Sequence, residues 1–332
     1  MKIAIVKLSA LGDIVHAMVA LQFIKAAIPT AHIDWIVEER FAEVLSHNPH
    51  IDNIITVNLK ALKTNKWGVF AQVKALRQQA QQQYDLVIDA QGLIKSAVVA
   101  TLLGKHRAGF DAKSIREKAA AWFYQVKVAC AYDANTIDRN ATVLSKPLGV
   151  TITPEQIHDK APFLFFKAED QRIYDFLSPD KRNIVLVIGS TWESRNYPAD
   201  KFVKVAEALQ QNCLVIWGSP EEQAKAEWMA QQTDTIKVLP RLDLNSLKAL
   251  IAKADLLIGN DTGPTHMAWG LNIPSITLFG PTPVSRVYQT DINKVLKSPS
   301  VVNPFKLNKQ DFSIQEIDEN EVIQLAESLL QY

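Results

Sequence analysis

The sequence lacks the features that mark several common protein classes. It has only two cysteines, Cys130 and Cys213, which lie far apart and outside any metal-ligand spacing. This excludes a disulfide framework and favours a reducing compartment. No run of about 18 consecutive apolar residues is present, which excludes a membrane-spanning helix. With 36 basic and 35 acidic side chains the net charge is +1, unlike the strongly basic domains of nucleic-acid-binding proteins.

Several catalytic motifs are missing as well. The loop after the first predicted strand, Ser9-Ala10-Leu11-Gly12-Asp13, lacks the G-x-G-x-x-G pattern that lets a dinucleotide approach the backbone, so a nicotinamide enzyme is disfavoured. There is no G-x-x-x-x-G-K-[ST] loop, which excludes a P-loop kinase or NTPase. No G-x-S-x-G elbow supports serine hydrolysis. The seven histidines show no metal-ligand spacing, so we do not expect a protein-built metal site.

The first residues do not have the pattern of a secretion signal. Lys7 interrupts the apolar run, and no small-residue cleavage site follows. We therefore expect a cytoplasmic protein.

The order of apolar runs predicts an α/β protein of two domains. A chain of 332 residues with 48% hydrophobic and 21% charged residues is long for a single core. Strands and helices alternate in two successive series, separated near residues 149–162 by a weakly patterned, proline-containing stretch. We predict two doubly wound, Rossmann-like domains, 1–160 and 161–332, that face each other across a cleft. Residues 106–135 are predicted as a helix with basic edges. The C-terminal helix 318–330 belongs to the second domain by sequence order, and packing back on the first domain is the alternative.

The stretch 255–283 is the most informative part of the chain. It predicts a buried strand at 256–258, a polar turn through Asp261, Thr262 and Gly263, a short helix, and a second strand at 276–279. Ligands of such sheets bind at the carboxyl ends of the strands, and a helix N-terminus suits a phosphate. Asp261 and His266 add groups for sugar hydroxyls or a second charge. The alternative is a well-capped turn with Asp261 or Thr262 as N-cap.

Two other strand ends carry candidate functional residues. A carboxylate at the tip of a strand-to-helix turn, such as Asp13, can act as a general base, although a first-turn acid also stabilises its helix. After the strand at 184–188, Ser190 and Thr191 are small donors, and the guanidinium of Arg195 suits a diphosphate unless it is an ordinary surface arginine. A glutamate in the loop 217–222 is positioned to bind ribose hydroxyls.

Taken together, these stretches resemble the heptosyltransferase family of lipopolysaccharide biosynthesis, and within it the heptosyltransferase I group. The resemblance covers almost the whole chain and depends on the order of the motifs. The motifs are Lys7-Leu-Ser-Ala-Leu-Gly-Asp13-Ile-Val-His16, Asp89-Ala-Gln-Gly-Leu-Ile-Lys95-Ser, Ser-Ile-Arg116-Glu, Gly189-Ser-Thr-Trp-Glu-Ser-Arg-Asn-Tyr-Pro198, Gly259-Asn-Asp-Thr-Gly-Pro-Thr-His266 and Gly280-Pro-Thr282.

The resemblance implies a GT-B fold and an inverting, metal-independent transfer of L-glycero-D-manno-heptose from ADP-L-glycero-β-D-manno-heptose to the Kdo of Kdo-lipid A. It implies that Asp13 is the general base, and that no cofactor is required because ADP-heptose is a substrate. The implied donor-binding residues are Ser190, Thr191, Arg195, Glu222, Leu242, Asp261, Thr262, Gly263 and His266. Those implied for the acidic acceptor are Lys60, Lys63 and Arg116, although the basic segment 60–66 can also be a solvated face. A cytoplasmic protein with this acceptor is expected to be peripheral on the inner membrane.

Three other functions stay open. A later-acting heptosyltransferase, of type II or III, differs only in its acceptor. A GT-B-fold nucleotide-sugar epimerase acts without an acceptor. A non-catalytic nucleotide-sugar-binding protein binds the donor with no turnover.

Overall fold

The computed structural model describes residues 1–59 and 66–331. The chain divides into two compact units, Met1–Phe163 and Leu164–Tyr332. The sequence-based boundary, between residues 160 and 161, lies three residues before this division. No helix in the described ranges is long and apolar enough to cross a membrane.

The first unit contains a six-stranded parallel sheet. Its strands, in chain order, are β1 Lys2–Val6, β2 His32–Glu38, β3 Asn53–Val57, β4 Leu86–Asp89, β5 Arg107–Phe110 and β6 Val126–Val128. They are arranged β3-β2-β1-β4-β5-β6. The order reverses between β1 and β4, and in doubly wound sheets this reversal opens a ligand-binding crevice at the carboxyl ends of the strands.

Helices surround this sheet, and two of the sequence-based assignments need correction. The helices are α1 Leu11–Met18, α2 Ala20–Ala27, α3 Ala42–Leu45, α4 Lys66–Ala80, α5 Ile94–Leu103, α6 Thr136–Ser145 and α7 Pro154–His158, with 3₁₀ turns at Glu39–Phe41, Lys118–Phe123 and Lys146–Leu148. Helix α1 begins inside the first motif, for which the sequence predicts a loop. The helix predicted over 106–135 is wrong, because this stretch contains β5, a 3₁₀ turn and β6. Both strands are too short to show a periodicity.

The second unit repeats the same topology. Its strands are β7 Asn183–Val187, β8 Asn212–Ile216, β9 Ile236–Val238, β10 Leu256–Asn260, β11 Ser275–Phe279 and β12 Asn293–Lys297. They are parallel and arranged β12-β11-β10-β7-β8-β9, with the reversal between β7 and β10. Every residue of β7, β8, β10 and β11 is buried, as their continuous apolar runs predict for strands covered on both faces.

The helices of the second unit complete its core. They are α8 Ala199–Leu209, α9 Pro220–Gln232, α10 Leu244–Ala252, α11 Gly263–Gly270 and α12 Glu319–Leu330, with 3₁₀ turns at Gln171–Phe176, Glu193–Arg195, Val284–Arg286 and Ser313–Glu316. Helix α12 packs on α8, β10 and β11, and its Val322, Ala326 and Leu329 join the core of this unit. Packing on the first domain is therefore not needed to bury its apolar face.

Candidate active site

In the second unit, Asn260 joins the two loops that meet where the strand order reverses. This residue ends β10 and is fully buried. Its Nδ2 donates to the carbonyl oxygen of Ile188 at 2.9 Å, and its Oδ1 accepts from the backbone amide of Tyr197 at 2.9 Å. The loop after β7 is thereby fixed to the end of β10. Sequence reasoning missed this role, although a polar residue at the end of an apolar strand was a usable signal.

The carboxylate of Asp261, the next residue, lies at the centre of a buried polar cluster. Its Oδ2 is 2.8 Å from Nη2 of Arg195, and its Oδ1 is 3.0 Å from Nε2 of His266. The hydroxyl of Thr282 donates to Oδ2 at 2.7 Å, and Nη1 of Arg286 lies 3.8 Å from the same oxygen. The structure thus brings together the predicted residues Arg195, Asp261 and His266.

The electrostatics of this cluster favour an ionised Asp261. Burial alone would raise the pKa of the carboxyl group. The hydrogen bond from His266 and the charges of Arg195 and Arg286 outweigh burial and hold the pKa of Asp261 well below its usual range. Both carboxylate oxygens have protein partners, so the geometry supports a positioning role toward Arg195 and His266. The expected role of Asp261 as an acceptor for sugar hydroxyls stays a prediction.

Thr282 and Arg286 complete this cluster; sequence reasoning named Thr282 only within the motif Gly280-Pro-Thr282 and did not identify Arg286. Both follow β11, in the segment that begins with Gly280. Thr282 is fully buried, whereas the side chain of Arg286 is 33% exposed. Arg286 therefore faces both the buried carboxylate and solvent, where it can meet an anionic ligand. The motif Gly280-Pro281-Thr282 was a usable signal for the loop, but not for the contact with Asp261.

The loop after β7 presents the remaining polar groups of this edge. The hydroxyl of Ser190 lies 2.8 Å from both the carbonyl oxygen of Trp192 and Oδ1 of Asn196, and Thr191 is exposed. The guanidinium of Arg195, a residue only 8% exposed, lies 5.4 Å from the ring centroid of Trp192. Nζ of Lys309 lies 4.8 Å from the same ring. Arg195 is therefore a buried, ion-paired residue and not an ordinary surface arginine.

The turn after β10 leads directly into helix α11. Thr262 is its N-cap in extended conformation, without a side-chain capping hydrogen bond, and Gly263 is the first helical residue. Of the two N-cap candidates in the sequence, Thr262 therefore occupies the position and Asp261 does not. The backbone amides of the first helical turn and the helix dipole together favour an anion here.

Glu222 lies against the loop after β7, although it belongs to helix α9. A Cβ placed on Gly189 would overlap Oε1 of Glu222, so the carboxylate occupies the space that a side chain at residue 189 would need. Oε2 of Glu222 accepts from the backbone amide of Gly218 at 2.7 Å. Leu242 is half-buried after β9, and the preceding residues Leu239 and Pro240 line a cavity of about 520 Å³.

In the first unit, the turn after β4 holds the loop that precedes Asp13. The backbone amides of Leu8 and Ser9 both donate to Oε1 of Gln91 at 3.1 Å. Nζ of the buried Lys7 donates to the carbonyl oxygen of Ala90 at 2.9 Å. Burial lowers the pKa of Lys7, while the negative charges of Asp13 and Asp89 oppose this shift. Asp13 is half-buried in the first turn of α1, and its Oδ2 accepts from the amide of Ala10 at 3.4 Å.

The predicted acceptor residues are only partly described. Arg116 is exposed in the segment between β5 and the 3₁₀ turn Lys118–Phe123. Lys60 and Lys63 lie outside the described residues. Within residues 1–59 and 66–331, no group of three or more His, Cys, Asp and Glu side chains is arranged to hold a metal ion.

Comparison with known proteins gives the family. The model of glycosyltransferase family 9 (heptosyltransferase) matches residues 70–306. Lipopolysaccharide heptosyltransferase 1 of Campylobacter coli is 34% identical, with 99% of each chain covered. The chain belongs to glycosyltransferase family 9. Lipopolysaccharide heptosyltransferase 1 of Pseudomonas aeruginosa is 32% identical, over 85% of this chain and 79% of that protein.

The solved structures agree on the GT-B fold of this heptosyltransferase. E. coli heptosyltransferase WaaC with ADP-2-deoxy-2-fluoro heptose is 26% identical, with a TM-score of 0.79 and 99% of each chain covered. The family assignment confirms the resemblance seen in the ordered motifs. The family model matches a range that includes the loops after β4, β7, β10 and β11. Asp13 precedes this range, in a part of the chain that the alignment with the C. coli protein covers.

Proposed function

We propose that this heptosyltransferase transfers L-glycero-D-manno-heptose from ADP-L-glycero-β-D-manno-heptose to the Kdo of Kdo-lipid A. The observation that carries the proposal is its 34% identity, over 99% of both chains, to a lipopolysaccharide heptosyltransferase 1. The structure of E. coli WaaC with ADP-2-deoxy-2-fluoro heptose, an ADP-sugar of the same class, supports the donor. The enzyme would act in the cytoplasm, peripherally on the inner membrane, where a lipid-linked acceptor is accessible.

In the proposed reaction one bond forms at the anomeric carbon as another breaks. The acceptor hydroxyl oxygen attacks the anomeric carbon of heptose, and its proton passes to the carboxylate of Asp13. The bond from this carbon to the diphosphate oxygen breaks on the opposite face, which inverts the configuration, and ADP leaves with the electron pair. This assignment uses the one acid that the loop after β1 places in the first turn of α1.

The leaving diphosphate needs positive charge. Arg195 and Arg286 share the single carboxylate of Asp261, so these three side chains carry one excess positive charge. The N-terminus of α11, with Thr262 and Gly263, adds backbone amides on the same strand end. Ser190 and Thr191 supply hydroxyls, and His266 is held toward the cluster by Asp261. We propose that these groups bind the diphosphate and heptose without an obligatory metal.

ADP release from ADP-heptose tests the proposal directly. We expect release to require de-acylated Kdo-lipid A and to continue in EDTA. Release only with an acceptor that already bears a heptose would instead identify a later-acting heptosyltransferase. Conversion of the sugar without any acceptor would identify an epimerase, and tight donor binding without turnover a binding protein.

Gly189 offers a test of the proposed ribose contact of Glu222. Gly189→Ala places a methyl group on the Glu222 carboxylate, which must move and lose its hydrogen bond from Gly218. If Glu222 binds the ribose hydroxyls, we expect ADP affinity to fall at least about tenfold, because a hydrogen bond to a charged group contributes about 1.5–3 kcal/mol. Isothermal titration with ADP measures the effect, and Glu222→Ala should cause a similar loss.

Gly218→Ala is the matched control. A Cβ at this position lies 3.6 Å from Oε2 of Glu222, an ordinary contact that leaves the carboxylate in place. We expect ADP affinity to stay near that of the wild type. Equal losses in both glycine variants, or additive losses in Gly189→Ala combined with Glu222→Ala, would contradict the ribose assignment.

A further inference from the structure

Two adjacent elements of the first unit expose large apolar side chains. Helix α5 packs against the 3₁₀ turn Lys118–Phe123. Ile94 and Val98 are 45% and 44% exposed and lie one helical turn apart on α5, so they share a face. Trp122, on the 3₁₀ turn, is 81% exposed. We call Ile94, Val98 and Trp122 the α5 surface.

These side chains are not the ones that build the core of this unit. The core-facing side of α5 consists of Ser96, Ala97, Val99, Ala100 and Leu103, all buried. Single exposed apolar residues are ordinary on protein surfaces. An exposed tryptophan together with two aliphatic side chains on adjacent elements is typical of an interaction site.

The segment of the chain that carries the α5 surface is strongly basic. Residues 94–127 contain five lysines and two arginines against one aspartate and one glutamate, a net charge of +5 in a chain whose total is +1. Lys105 and Lys118 are exposed, and so is Lys95, although its Nζ lies 3.5 Å from Oε1 of Glu38. Glu117 is engaged locally, because its Oε2 accepts from the backbone amide of Ile94 at 2.8 Å. The segment that carries the apolar residues therefore has a clear excess of cations.

The α5 surface is continuous with the region expected to bind the acceptor. The bond between Glu117 and Ile94 places the neighbouring Arg116 at the start of α5. Ile115 packs on the turn after β4, since a Cβ at Gly92 would lie 2.7 Å from its Cγ2. That same turn holds the loop before Asp13.

We propose that the α5 surface binds the headgroup region of an anionic lipid bilayer. Trp122 inserts at the interface between headgroups and acyl chains, where tryptophan is favoured, and Ile94 and Val98 lie beside it. Lys105 and Lys118 contact the anionic headgroups, which attract basic residues within a Debye length of the surface. The choice of a lipid as partner rests on the lipid-linked acceptor of the proposed function and on this charge.

Trp228 provides a matched control within the same chain. It is 43% exposed on helix α9 of the second unit. Its helix carries Glu221, Glu222 and Glu227 but only one lysine. Trp228 therefore resembles Trp122 in its exposed apolar side chain, but its helix lacks the positive charge that attracts an anionic membrane.

Co-sedimentation of the full chain with vesicles tests the proposal. We expect binding to vesicles of phosphatidylglycerol and phosphatidylethanolamine, weakened by salt, and much weaker binding to phosphatidylcholine alone. Trp122→Ala should weaken binding at least about tenfold, because a large apolar area leaves the interface. Lys118→Gln should weaken it about fivefold, and Trp228→Ala should leave it unchanged. ADP release with the de-acylated, water-soluble acceptor should be the same in all of these proteins.

Several results would overturn the proposal. Equal vesicle binding by wild type and Trp122→Ala would do so, as would equal losses in Trp122→Ala and Trp228→Ala. A wild-type dimer that Trp122→Ala converts to a monomer, with no vesicle binding, would assign the surface to a second copy of the chain. The soluble assay separates these failures from failure of the proposed function, because it involves no membrane.

Discussion

Asp13→Ala is expected to lower the turnover of ADP-heptose with de-acylated Kdo-lipid A by ~10²–10⁴-fold, the usual contribution of a positioned general base. The half-buried carboxylate lies in the first turn of α1, and the loop that leads into this helix is fixed by Gln91 and Lys7, so we expect its position not to depend on the sugar donor. The proposed donor residues are in the second unit. We therefore expect ADP-heptose affinity to change little, while kcat falls. Steady-state kinetics with a parallel binding titration separates the two.

Asp138→Ala is the control for the other interpretation of Asp13, a first-turn acid that stabilises its helix. Asp138 is the third residue of α6, as Asp13 is of α1, and both are half-buried in the same unit. Either substitution removes a favourable interaction with the helix dipole of about 0.3–1 kcal/mol. Only Asp13→Ala should lose turnover. Similar kcat values for the two variants would show that Asp13 is not the base.

The strands of the second unit were predictable because apolar content alone defines most of them. Sequences such as Asn-Ile-Val-Leu-Val in β7 are buried throughout, and a continuous apolar run is the pattern of such a strand. Strand β12, Asn-Lys-Val-Leu-Lys, was missed. It pairs with β11 at the edge of the sheet, where its lysines remain partly exposed. In the first unit, Gly109 of β5 packs directly under the ring of Tyr124, a tertiary contact that no local periodicity reveals.

The sequence predicted which strand ends form the candidate site, but not which side chains contact each other there. The turn after β10 was found because polar residues follow an apolar run, and parallel strands bring such turns to one edge. That Asp261 contacts Arg195, Thr282 and Arg286 depends on how two separate loops fold, which the spacing along the chain does not specify. The sequence therefore indicated a phosphate site, in which Asp261 was assigned to sugar hydroxyls, a second charge or an N-cap. The structure explains this carboxylate as the partner of two arginines.

Asp261→Asn is expected to destabilise the protein by about 3–5 kcal/mol, the usual cost of removing one partner from a buried ion pair. The amide has nearly the same size but leaves Arg195, only 8% exposed, without its carboxylate. Asp255→Asn is the control, because Asp255 pairs with Arg182 at the surface, with side chains 30% and 55% exposed. Asp255→Asn should lower the free energy of unfolding by only about 0–1 kcal/mol. Chemical unfolding followed by circular dichroism compares both variants with the wild type.

The difference in free energy of unfolding between wild type and Asp261→Asn should depend on pH, because the pKa of Asp261 is depressed in the folded state. A carboxyl group whose pKa is lower in the folded state stabilises that state fully above its unfolded pKa of about 3.9, and loses this contribution as the pH falls toward the folded value. The titration of Asp261 should therefore not change the stability gap between wild type and Asp261→Asn from pH 8 to about pH 5. Below about pH 4 it should narrow, by up to about 1.4 kcal/mol per pH unit. A gap that stays constant between pH 5 and pH 3 would show that folding does not favour the ionised carboxylate of Asp261, and that the cost of Asp261→Asn does not come from its charge interactions with the two arginines.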